Sequence, residues 1–332
     1  MKVLWRVMLA MLVLIVVSGV VAQAPAPNQN VTKPAPEQSS KRPLPAETLP
    51  RLRVDVDVVL VNVTVTDPYN RLVTGLESEH FEVFEDKEPQ EILYFSSEDV
   101  PISLGVIFDI SGSMGSAGKL ERAREAVVQF FKTANPSDEF FVVTFSEDPQ
   151  VLVDFTSSVE EIQNRLVYRR AGGRTAMLDG LYLGLTNMRA ANNPKKALLL
   201  ISDGGDNHSR YNVKDIKAYV READIQIYAV GVFDPIGSRQ APELVWGPTL
   251  LSELAEMTGG RMFPVELQNI SELPDIASKI SVELRNQYVI GYRPTNRKRD
   301  GTWRKIKVKL NPPKGLPPLR VYARSGYYAP LQ

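Results

Sequence analysis

Leu104-Gly105-Val106-Ile107-Phe108-Asp109-Ile110-Ser111-Gly112-Ser113 carries an apolar run straight into an acidic, hydroxyl-rich loop. A run this short, ended by polar residues and glycine, fits a strand buried on both faces. Phe140–Phe145, Ala197–Ile201 and Ile225–Val232 repeat that character. Among them lie amphipathic stretches with helical spacing: Lys119–Thr133, Ala176–Arg189, Val213–Ala223 and Ile270–Leu284. Strands alternating with helices predict an α/β unit, a doubly wound and mostly parallel sheet flanked by helices. The change in character on either side places it at residues 101–286.

Both flanks read as strand. On the N-terminal side, 51–100, Val54, Val56, Val58 and Leu60 alternate with Asp55, Asp57, Val59 and Val61. The apolar phase then swaps to Val59, Val61, Val63 and Val65, implying either a bulge or a strand centre buried on both faces. Asp67-Pro68-Tyr69-Asn70 is a turn, and Phe81–Glu85 and Ile92–Phe95 are short strands. On the C-terminal side, 287–332, Tyr288–Tyr292 forms one run, and two alternating patterns follow over 305–310 and 319–324. Arg53–Asp99 holds twelve acidic and three basic residues, whereas Arg285–Gln332 holds one acidic and twelve basic. Opposite charges facing across strand pairs are favourable. The two flanks are therefore expected to build one accessory β-sandwich from N- and C-terminal segments, with the α/β unit inserted between them.

Upstream, Lys2 and Arg6 precede the apolar stretch Val7–Val17, with small residues near Ala22. That is the pattern of an export signal over 1–22, cut between Ala22 and Gln23, with a retained anchor as the alternative. Residues 23–50 are rich in Pro, Ala, Gln, Asn and Ser and read as a Pro-rich disordered tether. An extracytoplasmic protein, periplasmic or secreted, with no transmembrane segment after cleavage, is the expectation. The 332-residue chain has a formal net charge of zero, so no global bias points to nucleic acid or membrane. It has no cysteine and two histidines, His80 and His208, which removes thiolate and His-rich metal sites and cysteine nucleophiles.

Asp109-Ile110-Ser111-Gly112-Ser113 has the form D-x-S-x-S. Here the chain resembles the von Willebrand factor A family, whose metal-ion-dependent adhesion site opens with this motif. Gly172-Gly173-Arg174-Thr175 matches the family's threonine loop, and Ser202-Asp203-Gly204 matches its aspartate after the fourth strand. The resemblance covers about 102–286 and implies a metal site of Asp109, Ser111, Ser113, Thr175 and Asp203. Taken whole, the chain is similar to exported bacterial proteins related to this family.

The chemistry of these residues suits that site. Ligands of open α/β sheets collect beyond the carboxyl ends of the strands, where strand order reverses. Mg²⁺ prefers six hard oxygens and keeps several waters. Three hydroxyls and two carboxylates would leave it electrophilic towards one more oxygen, with Mn²⁺ or Ca²⁺ as substitutes. In the family that oxygen comes from an Asp or Glu of a partner protein, so the resemblance implies a protein ligand presenting such a carboxylate. Ser, Thr and Asp also favour helix starts, which is the plainer account of the same residues. Asp179 lies one turn beyond Thr175, either orienting the loop or standing as a surface charge. Asp206 and His208 follow Asp203 and are expected at the rim. In family members the last helix shifts along its axis as the site rearranges, which here would involve Ile270–Leu284.

Catalytic patterns fail. Gly112–Leu120 lacks phosphate-loop spacing, and Leu120 stands where Ser or Thr is required. Ser113 lacks the G-x-S-x-G frame, and Asp109-Ile110-Ser111 lacks the second aspartate of an aspartyl-phosphate enzyme. The expected function is an adhesion-type binding module and not an enzyme. The alternatives are a structural or assembly factor of the cell envelope and, last, a metal-assisted hydrolase.

Overall fold

The computed structural model describes residues 58–234 and 242–331. The readings of 1–22 as export signal, 23–50 as tether and 53–57 as strand lie outside those residues. Four strands come first: β1 (Val59–Thr66), β2 (Phe81–Glu85), β3 (Glu88–Gln90) and β4 (Ile92–Ser96). The α/β unit follows with β5 (Ile102–Asp109), α1 (Lys119–Lys132), β6 (Glu139–Phe145), β7 (Gln150–Thr156), α2 (Val159–Leu166) and α3 (Met177–Asn187). It continues through β8 (Lys195–Ser202), α4 (Val213–Glu222), β9 (Gln226–Phe233), α5 (Pro242–Met257), β10 (Met262–Glu266) and α6 (Leu273–Arg285). Four strands close the chain: β11 (Tyr288–Tyr292), β12 (Trp303–Leu310), β13 (Arg320–Ala323) and β14 (Gly326–Tyr328).

The central sheet has the order β10-β9-β8-β5-β6-β7, parallel throughout except for the edge strand β7. Apolar runs form its middle because helices cover both faces. Leu104, Val106 and Phe108 point into one core with α1, α2 and α6, and Ile107 points into the other with α3, α4 and α5. β8 divides the same way, Leu199 and Ile201 on one side and Leu198 and Leu200 on the other. Strand order reverses between β5 and β8, so the loops after these neighbours meet at one edge of the sheet. Gly184 lets α3 lie close on the sheet, since a Cβ there would come within 2.1 Å of Ile107.

The two flanks interleave. One antiparallel sheet has the order β13-β1-β11-β4 and the other β14-β12-β2-β3, each mixing N- and C-terminal strands. Val61, Val63, Val65, Phe81, Val83, Tyr288, Ile290, Tyr292 and Ile306 form their shared core. The expected charge pairing occurs at Lys309, directly opposite Glu82, but the apolar cluster makes most of the contact. Burial on both faces holds for the C-terminal half of β1, whereas Val58 and Leu60, the described apolar residues of the first phase, are exposed. Val61, Val63 and Val65 enter the sandwich core, while Thr64 is buried on the other side and accepts from Gln287 Nε2 at 3.0 Å.

Several elements lack a clear sequence pattern. α5 contains Gly247 and Pro248, and β10 contains Pro264, which an edge strand tolerates. β7, α2, β3 and β14 are short or weakly patterned. α6 begins at Leu273 and not at Ile270, because Pro274 is accommodated in a first helical turn but not further inside. No helix among the described residues is long and apolar enough to cross a membrane.

Candidate functional site

Asp109 is the last residue of β5 and is fully buried. Its Oδ1 accepts from the Ser111 amide at 2.8 Å, which turns the chain back over the strand end. Its Oδ2 accepts from Ser202 Oγ at 2.6 Å, a bond available because β8 lies beside β5. Ser111 Oγ and Ser113 Oγ are 3.1 Å apart. Asp203 follows directly after β8 and is 3% exposed. Gly204 turns the chain away with a φ of +80°, and a Cβ there would sit 2.7 Å from the Gly247 Cα of α5.

Thr175 comes from a loop bonded to this one. Gly112 N donates to Gly173 O at 3.0 Å, and Gly172 N donates to Ile110 O at 2.9 Å. Ala176 N donates to Ser146 O at 2.7 Å, fixing the entry to α3. The structure thus brings the loops of Asp109, Ser111, Ser113, Thr175 and Asp203 to the carboxyl end of the β5–β8 pair, with Asp109, Ser111, Thr175 and Asp203 buried.

The neighbouring polar residues hold the frame. Asp179 Oδ1 accepts from the amides of Arg210 and Tyr211 at 2.9 and 3.0 Å, while Oδ2 accepts from Arg210 Nε at 3.1 Å. Asp206 Oδ2 accepts from Leu178 N at 2.8 Å in the first turn of α3 and from Ser209 Oγ at 2.6 Å. The His208 amide donates to Thr175 O at 3.0 Å, and its half-buried ring lies 3.2 Å from Arg174 Nη2. Arg174 also donates to Glu147 Oε1 at 3.3 Å, an exposed pair on the rim. Met114, next to the hydroxyl pair, is core.

The electrostatics are unusual in two respects. Burial, followed by the charge of Asp203, pushes the Asp109 carboxyl up to about 7 against the pull of its hydrogen bonds from Ser111 and Ser202. Asp203 Oδ2 is buried without a hydrogen-bond partner. The nearby cation is Lys119 Nζ at 3.7 Å, itself buried at the first position of α1. In the sequence Lys119 is only the first residue of an amphipathic stretch, and the D-x-S-x-S motif does not include it.

No cluster of three or more His, Cys, Asp or Glu suited to a metal occurs among the described residues. An ion here would rest on hydroxyls and two carboxylates, a hard-oxygen set suited to Mg²⁺ more than to Zn²⁺. The orphaned Asp203 oxygen fits such a group, because Lys119 Nζ at 3.7 Å lies beyond hydrogen-bond reach and leaves it without a donor.

Residues 104–279 match the family model described as the von Willebrand factor type A domain, more than half of the chain. Inter alpha-trypsin inhibitor heavy chain 4 of Mus musculus is 32% identical over 145 residues, 39% of this chain and 15% of that protein. Inter-alpha-trypsin inhibitor heavy chain H4 of Sus scrofa is 27% identical over 179 residues, 49% of this chain and 18% of that one. This chain therefore spans less than a fifth of the length of either relative. Among solved structures, a von Willebrand factor type A protein from Catenulispora acidiphila has a TM-score of 0.49 at 14% identity, covering 82% of this chain and 75% of that one. The vWF domain of the type V pili tip protein Mfa5 from Porphyromonas gingivalis has a TM-score of 0.44 at 14% identity, covering 56% and 97%.

Proposed function

This chain belongs to the von Willebrand factor type A domain family, and we propose that it is a non-enzymatic, extracytoplasmic module that binds a partner protein through a divalent cation. Asp109, Ser111, Ser113, Thr175 and Asp203 would hold the ion, Mg²⁺ ahead of Mn²⁺ or Ca²⁺. Bound there, the ion would supply an electrophilic position for an Asp or Glu carboxylate of the partner. The observation that carries this reading is Asp203 Oδ2, a buried carboxylate oxygen without a hydrogen-bond donor. Leaving such a group unmatched costs about 1–3 kcal/mol, and more when it is charged. A fold tolerates that where a ligand completes the set.

The surrounding residues favour rigid presentation. Asp179 and Asp206 hold the loop after β8 against α3 through backbone amides, so Asp203 and Thr175 keep their relative placement. Val245 and Trp246 stand exposed on α5, just before the Gly247 that abuts Gly204. They offer a partner an apolar contact near the carboxylate position. Hydrolysis would need a general base beside the ion, whereas the His208 ring faces Arg174 at the rim. Lys2, Arg6 and the apolar Val7–Val17 support export.

Calorimetric titration of the purified protein with Mg²⁺, beside a Ser111→Ala/Ser113→Ala variant, tests the reading. Uptake in the wild type should weaken on the order of tenfold or more in the variant, since two of the three neutral donors are gone. Capture of a partner from envelope extract should vanish in EDTA. Equal capture with and without chelator would defeat the cation-mediated reading.

A further inference from the structure

We propose that Lys119 is a resident counter-cation of the site: it offsets the buried carboxylates before any ion binds, and it leaves the loaded site positively charged, so that an anionic partner is required. The second half rests on the cation-binding reading above, whereas the first does not.

Lys119 is 5% exposed, and lysine is rarely buried this far without a partner. Among the described residues its ion-pair partner is Asp203, at 3.7 Å from Nζ to Oδ2. That oxygen is the one without a hydrogen bond, so charge and not hydrogen bonding joins the two groups. The position is also unfavourable for a cation in its own right. Lys119 is the first residue of α1, where the helix dipole presents its positive end. An ammonium drawn inward at that end, next to Asp203, needs a compensating negative charge, and the two carboxylates supply it.

The charge count then defines the partner. With both carboxylates ionised, Asp109, Asp203 and Lys119 sum to one negative charge, because the hydroxyls of Ser111, Ser113 and Thr175 are neutral. A divalent ion turns that into one positive charge. A single Asp or Glu side chain restores neutrality, and a neutral oxygen ligand does not. Without Lys119, the same two carboxylates would neutralise the ion completely and remove the electrostatic demand for an anion. Lys119 would accordingly weaken the binding of the ion alone and strengthen its joint binding with a carboxylate.

Lys119→Met in the full-length protein separates these effects, with Lys119→Arg as the charge-preserving control. In metal-free protein, Lys119→Met should lower the thermal midpoint by about 2–6 °C, while Lys119→Arg should hold closer to wild type. Mg²⁺ alone should bind Lys119→Met on the order of tenfold more tightly. Added acetate should raise Mg²⁺ affinity more in wild type than in Lys119→Met; an equal gain overturns the selection of anions. An unchanged metal-free midpoint together with unchanged Mg²⁺ affinity overturns the whole proposal. Should neither protein take up Mg²⁺, the cation-binding reading fails by itself, and the counter-cation is judged in the Asp203→Asn background. There the loss caused by Lys119→Met should shrink, and an equal loss in both backgrounds refutes it. Where Lys119→Met does not fold, Lys119→Gln makes the same comparison.

Discussion

The two ends of the central sheet both bury charge, and they treat it in opposite ways. At the base, where α6 runs into β11, both oxygens of Glu283 have partners: Oε1 accepts from Tyr228 OH at 2.9 Å and Oε2 from Arg261 Nη1 at 2.7 Å. Arg261 also donates to Asn70 Oδ1 at 3.0 Å and lies over the Tyr322 ring, joining the α/β unit to the sandwich. Arg285 pairs with Asp138, and Lys195 Nζ donates to Leu284 O, closing the last turn of α6. At the carboxyl end, Asp203 Oδ2 has an ammonium in range but no donor. Glu283 is matched at both oxygens and Asp203 at one, although Arg285 Nε at the base and Glu85 Oε1 in the sandwich also lack a hydrogen-bond partner. The base also bears on movement, since any axial shift of α6 has to break the bonds of Glu283, Leu284 and Arg285.

Three measurements break or sharpen that contrast. Glu283→Ala should have the largest effect, about 3–5 kcal/mol of lost stability, because Arg261 is left buried without its counter-charge. Chemical denaturation reads this directly, and Mg²⁺ should not restore it; a loss below about 1 kcal/mol would show that the base is not matched as described. Asp203→Asn should do the reverse. It removes one of two carboxylates from an underpaired site and leaves Asp109 to offset Lys119, so the metal-free loss should be smaller than that of Glu283→Ala while Mg²⁺ uptake disappears. A collapse of the fold would mean that Asp203 is scaffold.

The last measurement is a pH dependence. Burial, set against nearby Asp99 and Asp138 and reinforced by Arg285, holds the Lys195 ammonium down to about 8 from its ordinary value of 10.5. Between those values the unfolded chain keeps a proton that the folded chain has shed, so stability should rise with pH across that window. Lys195→Met should flatten the rise. An identical slope in the variant would locate the titration elsewhere.

Much of this architecture was legible in advance, for local reasons. Leu104–Phe108 and Ala197–Ile201 announce buried strands because helices on both faces demand unbroken apolar runs. Asp109, Ser111 and Ser113 sit close together in the chain, so their motif survives without any knowledge of topology. The acidic N-terminal and basic C-terminal flanks correctly suggested shared sheets, although Lys309 opposite Glu82 is a small part of what joins them. α5 was hidden because Gly247 and Pro248 disguise its pattern, yet that glycine is what allows close approach to Gly204.

By itself the sequence determined the alternation of the main strands and helices, the burial of the central strands and the hydroxyl-and-carboxylate character of one loop, since these follow from residue type and short-range spacing. The tertiary structure alone decided that Lys119 faces Asp203, 84 positions away in the chain, and that Glu283 meets both Arg261 and Tyr228. Whether a buried charge is matched depends on what the fold sets within a few ångströms of it. Linear order does not specify that distance, because a sheet whose strand order reverses joins residues from opposite ends of the domain.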